Sequence, residues 1–314
     1  MKKAKILFEE WALKWLQTIK GTVKSNTYEA TYRNTVVNHL IPAFKGRTLD
    51  EIKPYELQNF LNKSCEEYCC DTVKKFKSCL TQMYNEALYN EFCSKNPCYR
   101  LKVVKRTEVN EKQVYTQSEL DMIKAYAVTH RYGIEIMLLA ETGIRRGELL
   151  ALTWADIELH SKVINITKAA AIEKVDGKYT TIISAPKNIS SIRRIPASTE
   201  LCDYLANYKK TCNPDQNDSV IVNSSGKGCN PRNWQRRHYD VFMVEMQEYY
   251  KDRGINIPYR TPHSFRHTRA SLWVNSGKNL YAVAKALGHS DLDMLQKRYA
   301  HSNVEQIRFL LDIE

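Results

Sequence analysis

The sequence predicts a mainly α-helical protein with a small antiparallel β-sheet, arranged as a helical N-terminal domain followed by an α+β domain. Apolar residues recur every three or four positions through roughly the first hundred residues, the period of helices with one buried face. Between 162 and 198 the period changes, because Ile164 and Ile166 alternate with the polar Asn165 and Thr167. Such alternation is typical of half-buried strands. The helical period then returns, so the strands lie within a helical framework.

Four helices are expected in the N-terminal domain, which we place at residues 1–102. They cover residues 5–20, Ser25 to Pro42, 54–68, and Asp71 through Leu88. Gly21 ends the first helix, Ser25 and Asn26 can cap the second, and Pro54 suits the first turn of the third. Residues 103–112 are charged and without long periodicity, so we expect a linker there and a second domain over 113–314.

The second domain is expected to open with a capping box at Thr116–Glu119, followed by a buried helix over 132–141. Strands are expected around Ile164, over 179–184 and over 192–196, with a hairpin turn at Asp176-Gly177. Lys187 would lie in the turn of a hairpin formed by the last two strands. Helices are expected over most of 199–255, and a capped apolar tail helix over 302–314 that either seals its own core or docks on a neighbour.

The charge balance favours a polyanion as partner. The chain has 47 Lys and Arg against 35 Asp and Glu, a net charge of +12. We expect a cytoplasmic protein, because the N-terminus lacks the apolar stretch of a signal peptide and no run approaches the ~20 residues of a membrane span. The nine cysteines show no repeated CxxC pair, so we expect reduced thiols and no zinc site. Asp291 and Asp293 lack a third nearby carboxylate, so no Mg²⁺ site is expected either.

The stretch 261–301 concentrates side chains suited to phosphate chemistry. It contains His263, Arg266, His267, His289 and Tyr299. His263 and Arg266 are three positions apart and would share one face of a helix. Imidazoles and a guanidinium bind phosphate, and a tyrosine can be a nucleophile. Taken singly, each of these residues is more often a packing or surface side chain.

Three other basic features each have a functional and a structural interpretation. At 142–148, TGIRRGE, two glycines bracket two arginines where a helix begins, which favours phosphate binding; the alternative is a turn with surface arginines. Lys74, Lys75 and Lys77 form either a solvated helix face or a contact with DNA phosphates. For Lys187, the structural interpretation is a solvated lysine in a turn.

With these motifs the sequence resembles the tyrosine recombinases, the integrase family of phages and conjugative transposons. Five motifs occur in the family's order and spacing: TGIRRGE at 142–148, PKNISSIRRIP at 186–196, HSFRHT at 263–268, LGHS at 287–290 and RYAH at 298–301. The helical N-terminal region resembles the family's SAM-like core-binding domain. The resemblance implies a site-specific recombinase that integrates or excises a mobile element through a 3′-phosphotyrosyl intermediate.

Carried over by position, the resemblance implies a role for seven residues. Arg145 and Arg266 would clamp the scissile phosphate, His263 and His289 would complete its pocket, Lys187 would be the hairpin lysine, Tyr299 the nucleophile, and Glu148 an acidic residue that supports the site. These types suit the reaction, because attack on a phosphodiester builds negative charge that cations stabilise. Lys187 can protonate the leaving 5′-hydroxyl, and His263 is our candidate base for a phenol of pKa ~10.

The resemblance also implies partners. They are double-stranded DNA with attachment or core sites and a homotetramer on DNA linked by exchange of C-terminal tails, and a DNA-bending or excision factor stays open. No cofactor is implied, because ester exchange conserves bond energy and arginines take the place of a metal. Many integrases of this type carry an additional N-terminal arm-binding domain, whereas here the core-binding-like helices begin near Met1. Arm-site binding is therefore in doubt.

Two other functions remain open from the sequence. A type IB topoisomerase shares the chemistry but acts as a monomer, and the apolar capped tail argues weakly for assembly instead. A DNA-binding scaffold that keeps the fold without catalysis would have no need of all six catalytic candidates.

Overall fold

The computed structural model of the chain describes residues 6–104, 114–175, 178–185 and 191–288. Lys187, His289 and Tyr299 lie outside these ranges, as do most of the expected linker, the expected tail helix, Asp176-Gly177, Asp291 and Asp293. The chain divides into two compact units, one of residues 1–109 with 173–178, and one of residues 110–172 with 179–314.

The first unit is helical. Its elements are α1 (Phe8–Ile19), α2 (Ser25–Thr27), π-helical turns at Tyr28–Arg33 and Val36–Leu40, α3 (Ile41–Phe44), α4 (Pro54–Glu67) and α5 (Cys70–Tyr89). The four expected helices are confirmed, since the segments from α2 to α3 form one continuous helical stretch. That stretch was expected to end at Pro42 but runs to Phe44, whose ring lies 5.2 Å from that of Phe8. Burial of Phe44 accounts for the two additional residues.

Aromatic side chains hold the core of this unit. Trp11 and Trp15 of α1 are both buried, as their helical spacing predicts. The indole N–H of Trp11 donates to the carbonyl of Met83 at 3.0 Å, which fixes α1 against α5. A buried indole needs such a partner, because an unpaired polar group in a core costs free energy.

The chain from residue 114 onwards combines helices with two small sheets. Its elements are α6 (Gln117–Ala127), α7 (Gly133–Thr142), α8 (Arg146–Leu149), a 3₁₀ turn (Trp154–Asp156), β1 (Ile157–Glu158), β2 (Val163–Ile166), β3 (Ala169–Val175), β4 (Lys178–Ser184), β5 (Arg193–Pro196), α9 (Thr199–Cys212), α10 (Pro231–Trp234), a π-helical turn (Gln235–Tyr239), α11 (Asp240–Lys251), α12 (Pro262–Asn275) and α13 (Leu280–Leu287). The capping box is confirmed, because the Thr116 hydroxyl accepts from the N–H of Glu119 at 3.1 Å. Helix α7 is buried on nearly every side and forms the centre of this unit.

The predicted fold class, mainly α with a small antiparallel sheet, is confirmed. In the three-stranded sheet β2 lies between β1 and β5 and is antiparallel to both. Ile164 pairs with Ile157 and Ile195, and all three side chains are buried. Strand β3, which the sequence did not predict, pairs with β4 in a separate two-stranded sheet.

The expected hairpin between strands 179–184 and 192–196 is wrong, because these strands belong to different sheets. Burial explains the difference. Strand β5 alternates buried and exposed residues and places Ile195 against the core, whereas most of β4 is exposed. The segment that contains Lys187 therefore connects two sheets.

Candidate active site

Arginines from three separate elements meet at the C-terminal end of α13. Three consecutive carbonyls there accept hydrogen bonds: Ala286 from Nε of Arg193 at 2.6 Å, Leu287 from Arg266, and Gly288 from Nη2 of Arg145 at 2.8 Å. The last carbonyls of a helix have no partner within the helix and carry its partial negative charge. The three guanidinium groups satisfy these carbonyls and are thereby gathered into one place.

Arg145 stands immediately before α8, in the extended conformation of an N-cap residue. Its Nη1 donates to Oε1 of Glu148 at 2.8 Å, and its backbone N–H donates to Oε2 of the same carboxylate at 2.8 Å. The side chain is still 37% exposed. Arg145 is thus held from one side and open to solvent on another.

Glu148 is almost fully buried beneath Arg145 and forms a bidentate pair with Arg193. Nη1 and Nη2 of Arg193 each lie 2.9 Å from a carboxylate oxygen, and the two side chains are only 2% and 3% exposed. Burial alone would raise the pKa of Glu148, but hydrogen bonds and positive charge from Arg193 and Arg145 outweigh it and hold the pKa below its usual value. Glu148 is therefore a fixed negative charge under the arginines.

Arg266 lies on α12 and is buried. Besides the Leu287 carbonyl, it contacts the carbonyl of Gly143 at 3.1 Å. Gly143 closes α7 with φ +62°, and a Cβ there would come within 2.9 Å of Leu287 Cδ2. Only glycine fits both the left-handed conformation and this close approach, so the turn brings α7, α12 and α13 together around Arg266.

His263 lies in the first turn of α12, one turn before Arg266, as the sequence predicted. It is exposed, while His267 is buried; their rings meet edge to face with centroids 4.6 Å apart. The structure thus gathers three of the residues singled out from the sequence, Arg145, Glu148 and Arg266, at the end of α13, and His263 lies on the same helix as Arg266. Lys187, His289 and Tyr299 lie outside the described residues.

Arg193 is the residue of this cluster that the sequence did not single out. Its signal was present, because Arg193 has the same parity as the buried Ile195 in an alternating strand and therefore points inward. The neighbouring Arg194 points outward. An inward-facing arginine in a strand is rare unless it is paired.

An open cleft of about 500 Å³ lies close to Arg145 along the chain. It is lined by Arg146, Arg232, Arg236, Tyr179, Gln235, Ile172 and Asp240. Arg146 donates to the amide oxygen of Gln235 at 3.2 Å, and the Arg232 guanidinium lies 5.1 Å from the centre of the Tyr179 ring. Asp240 accepts from the hydroxyl of Tyr259 at 2.8 Å. The cleft therefore offers three cations and an aromatic face against one engaged carboxylate.

Lys74, Lys75 and Lys77 lie on α5 of the first unit. Lys74 and Lys75 are exposed, and Lys74 forms an ion pair of 2.8 Å with Asp71. Within the ranges that the structure describes, no three His, Cys, Asp or Glu side chains are grouped so that they could hold a metal ion. Nor does any described helix have the length and apolar character to cross a membrane.

Comparison with known families gives a match over most of the chain. The profile of the phage integrase family matches residues 108–306, and that of the phage integrase N-terminal SAM-like domain matches residues 7–64. Together they cover the region of the arginine cluster and much of the helical unit.

Characterised relatives agree with this match. A tyrosine recombinase XerC-like protein of Caldanaerobacter subterraneus subsp. tengcongensis is 28% identical over 94% of this chain and 78% of its own length. The transposase from transposon Tn916 of Enterococcus faecalis is 26% identical over 82% of this chain, which spans 65% of that protein.

Solved structures share the fold. The Tn1549 transposon integrase, solved with a circular intermediate DNA, superposes with a TM-score of 0.78 at 20% identity, over 96% of this chain and 98% of that one. A lambda integrase dimer bound to a COC′ core site gives a TM-score of 0.67 at 16% identity, over 94% of this chain and 77% of that one. At these identities the likeness establishes the fold.

Proposed function

Because this chain belongs to the phage integrase family and is a tyrosine-type recombinase, we propose that it integrates or excises a mobile element by cutting and rejoining duplex DNA through a 3′-phosphotyrosyl intermediate. The observation that carries the proposal is the convergence of Arg145 and Arg266 on adjacent carbonyls at the end of α13. Two guanidinium groups held at one helix end, one of them paired with the buried Glu148, suit the recognition of a single phosphate.

In this proposal the phenol of Tyr299 attacks the scissile phosphorus and displaces the 5′-oxygen of the next nucleotide. Arg145 and Arg266, with His263 and His289, stabilise the negative charge that develops on the non-bridging oxygens. His263 accepts the phenolic proton and Lys187 gives a proton to the leaving oxygen, so that one phosphate ester replaces another. Arg145 is the arginine best placed to meet DNA first, because part of its side chain is exposed.

The proposal also assigns a function to each domain of the chain. Residues 1–102 would form the core-binding domain, 103–112 the linker, and 113–314 the catalytic domain with the tail helix 302–314. Lys74, Lys75 and Lys77 would contact phosphates from the first domain, and the cleft of Arg146, Arg232 and Arg236 would bind the backbone from the second. The aromatic face of Tyr179 adds a surface on which a sugar or base can stack.

The proposal extends to assembly on DNA. Lambda integrase has been solved as a tetramer bound to a Holliday junction, and we propose a homotetramer for this chain, with tail exchange between protomers and action on bacterial DNA in the cytoplasm. A DNA-bending or excision factor would then act on the assembled complex.

The proposal is tested with a nicked suicide duplex that carries the attachment site from DNA flanking the coding sequence. We expect the wild-type protein to form a covalent adduct, visible as a shifted band in denaturing gels, because the nick lets the cleaved strand leave. Tyr299→Phe should form none. Tyr281→Phe, at an exposed position on α13, is the matched control and should react normally. An adduct with Tyr299→Phe would show that another residue is the nucleophile.

Neighbouring arginines provide a second test. Arg145→Ala should abolish cleavage and leave duplex binding mostly intact, because Arg145 acts on one phosphate. Arg146→Ala should weaken binding and reduce the slope of log K against log salt by about 1, with cleavage preserved at saturating protein. Gel shifts at several salt concentrations measure both. Loss of binding by Arg145→Ala would give that residue a structural role instead.

A further inference from the structure

Arg193 uses every nitrogen of its guanidinium group. Nε donates to the Ala286 carbonyl at 2.6 Å, Nη2 to Glu148 Oε2 at 2.9 Å, and Nη1 both to Glu148 Oε1 at 2.9 Å and to the Ser191 carbonyl at 3.1 Å. The side chain is 2% exposed, so no donor is turned towards solvent. Four of the five N–H donors of Arg193 are therefore already used within the protein.

These acceptors belong to three separate segments of the chain. Glu148 is on α8 and accepts a hydrogen bond from Arg145. Ala286 is in the last turn of α13, two residues before Gly288, whose carbonyl also accepts from Arg145. Ser191 follows the segment 186–190, which contains Lys187 in the sequence. The planar guanidinium group of Arg193 therefore sets the spacing between Glu148, the end of α13 and Ser191.

The Arg193 side chain is closely packed. Gly288 packs on the Arg193 side chain, and a Cβ on Gly288 would lie 3.1 Å from both Cδ and Nη1 of Arg193. A lysine could keep the positive charge next to Glu148, but its single ammonium cannot make a bidentate pair and reach the Ala286 carbonyl at once. The substitution Arg193→Lys therefore keeps the positive charge of this side chain and removes its hydrogen-bonding geometry.

We propose that Arg193 is a positioning residue for strand cleavage, which acts through Glu148 and the end of α13 to hold Arg145 in register with the scissile phosphate. The proposal rests on the proposed function. It differs from a purely stabilising role, because it predicts slower chemistry in molecules that are folded and bound to DNA.

The test is Arg193→Lys, compared with Arg194→Lys on the same strand. Arg194 is 65% exposed and forms one ion pair of 3.3 Å with Glu158, so its substitution should change neither binding nor cleavage. Affinity for the attachment-site duplex and the single-turnover rate of adduct formation are measured separately, at a temperature well below thermal unfolding. We expect Arg193→Lys to bind within about threefold of wild type and to cleave about 100-fold more slowly, the scale of a misplacement near 1 Å.

Several outcomes of these measurements would overturn the positioning role. Cleavage by Arg193→Lys within threefold of wild type, or loss of binding in parallel with cleavage, overturns the positioning role. If that variant does not fold, Gly288→Ala tests the same contact while keeping the guanidinium, and normal cleavage by it overturns the proposal. Absence of any adduct with the wild-type protein counts against the recombinase chemistry itself, so the two failures are distinguishable.

Discussion

Two glutamates of the second unit are equally buried yet have opposite electrostatic character. Glu148 and Glu135 are each 3% exposed, on consecutive helices α8 and α7. The pKa of Glu148 is held below its usual value, whereas that of Glu135 is raised. Burial by itself therefore does not decide the charge state of a carboxyl group in this protein.

The partners of Glu135 explain the contrast. Burial is the main cause of its raised pKa. It outweighs the hydrogen bond with Nδ1 of His238 at 2.7 Å and the one that the Trp234 indole N–H donates at 2.6 Å. An indole is neutral and an imidazole can lose its proton, whereas the guanidinium groups around Glu148 remain charged at any accessible pH. Of these two sites, the one around Glu148 keeps a fixed pattern of charge, as phosphate chemistry requires.

The largest expected effect comes from removing each charge in turn. Glu148→Gln leaves Arg193 buried without a counter-charge and should cost about 3–5 kcal/mol in the free energy of unfolding. Glu135→Gln keeps the shape of the side chain and removes a charge whose burial already raises the pKa of this group, so we expect a cost of about 1 kcal/mol. Urea denaturation monitored by tryptophan fluorescence measures both. Equal costs would mean that the charge of the partners has no influence.

A smaller effect is expected where Gly288 contacts Arg193. Gly288 and Gly254 have φ values of +65° and +73°, but a Cβ on Gly254 would meet nothing within 4 Å. Gly254→Ala should therefore cost only the left-handed penalty of about 1–2 kcal/mol. Gly288→Ala should cost about 1–3 kcal/mol more, because it overpacks the arginine. Thermal unfolding of the two variants measures the difference, and equal melting temperatures would exclude strain at Arg193.

The smallest effect is the pH dependence of stability, which follows from the two opposite pKa shifts. Ionised Glu148 stabilises the fold above its unfolded pKa of about 4.3, and this contribution is lost as pH falls through the lowered folded pKa. Glu135 has the opposite sign, since its ionisation costs stability as pH rises from about 4.3 through the raised folded pKa.

Melting temperatures of wild type and the two glutamine variants across a pH series check these signs. Acidification should narrow the gap between wild type and Glu148→Gln. A rise in pH should favour Glu135→Gln over wild type. Parallel pH curves for all three proteins would contradict both assignments.

Much of this architecture could be predicted from the sequence, because it depends on local patterns. The capping box at Thr116, the buried helix before Gly143 and the strand at Ile164 each follow from residues a few positions apart. The helix that contains both His263 and Arg266 belongs to the same class. The pairing of β4 with β5 was predicted wrongly, because strand partners depend on burial across the whole unit.

The sequence by itself determined which chemical groups this protein has, including the arginines of TGIRRGE and HSFRHT, the tyrosine of RYAH and the excess of positive charge. Only the tertiary structure decided that Arg193 turns inward while Arg194 turns outward, and that three guanidinium groups meet at one helix end. The tertiary structure also decided that the pKa values of Glu148 and Glu135 shift in opposite directions. The partner of Glu148, Arg193, lies 45 positions away along the chain, and the partner of Glu135, His238, lies 103 positions away. The physical reason is that the charge of a buried group depends on distant residues that folding brings within hydrogen-bonding distance, and no local pattern specifies them.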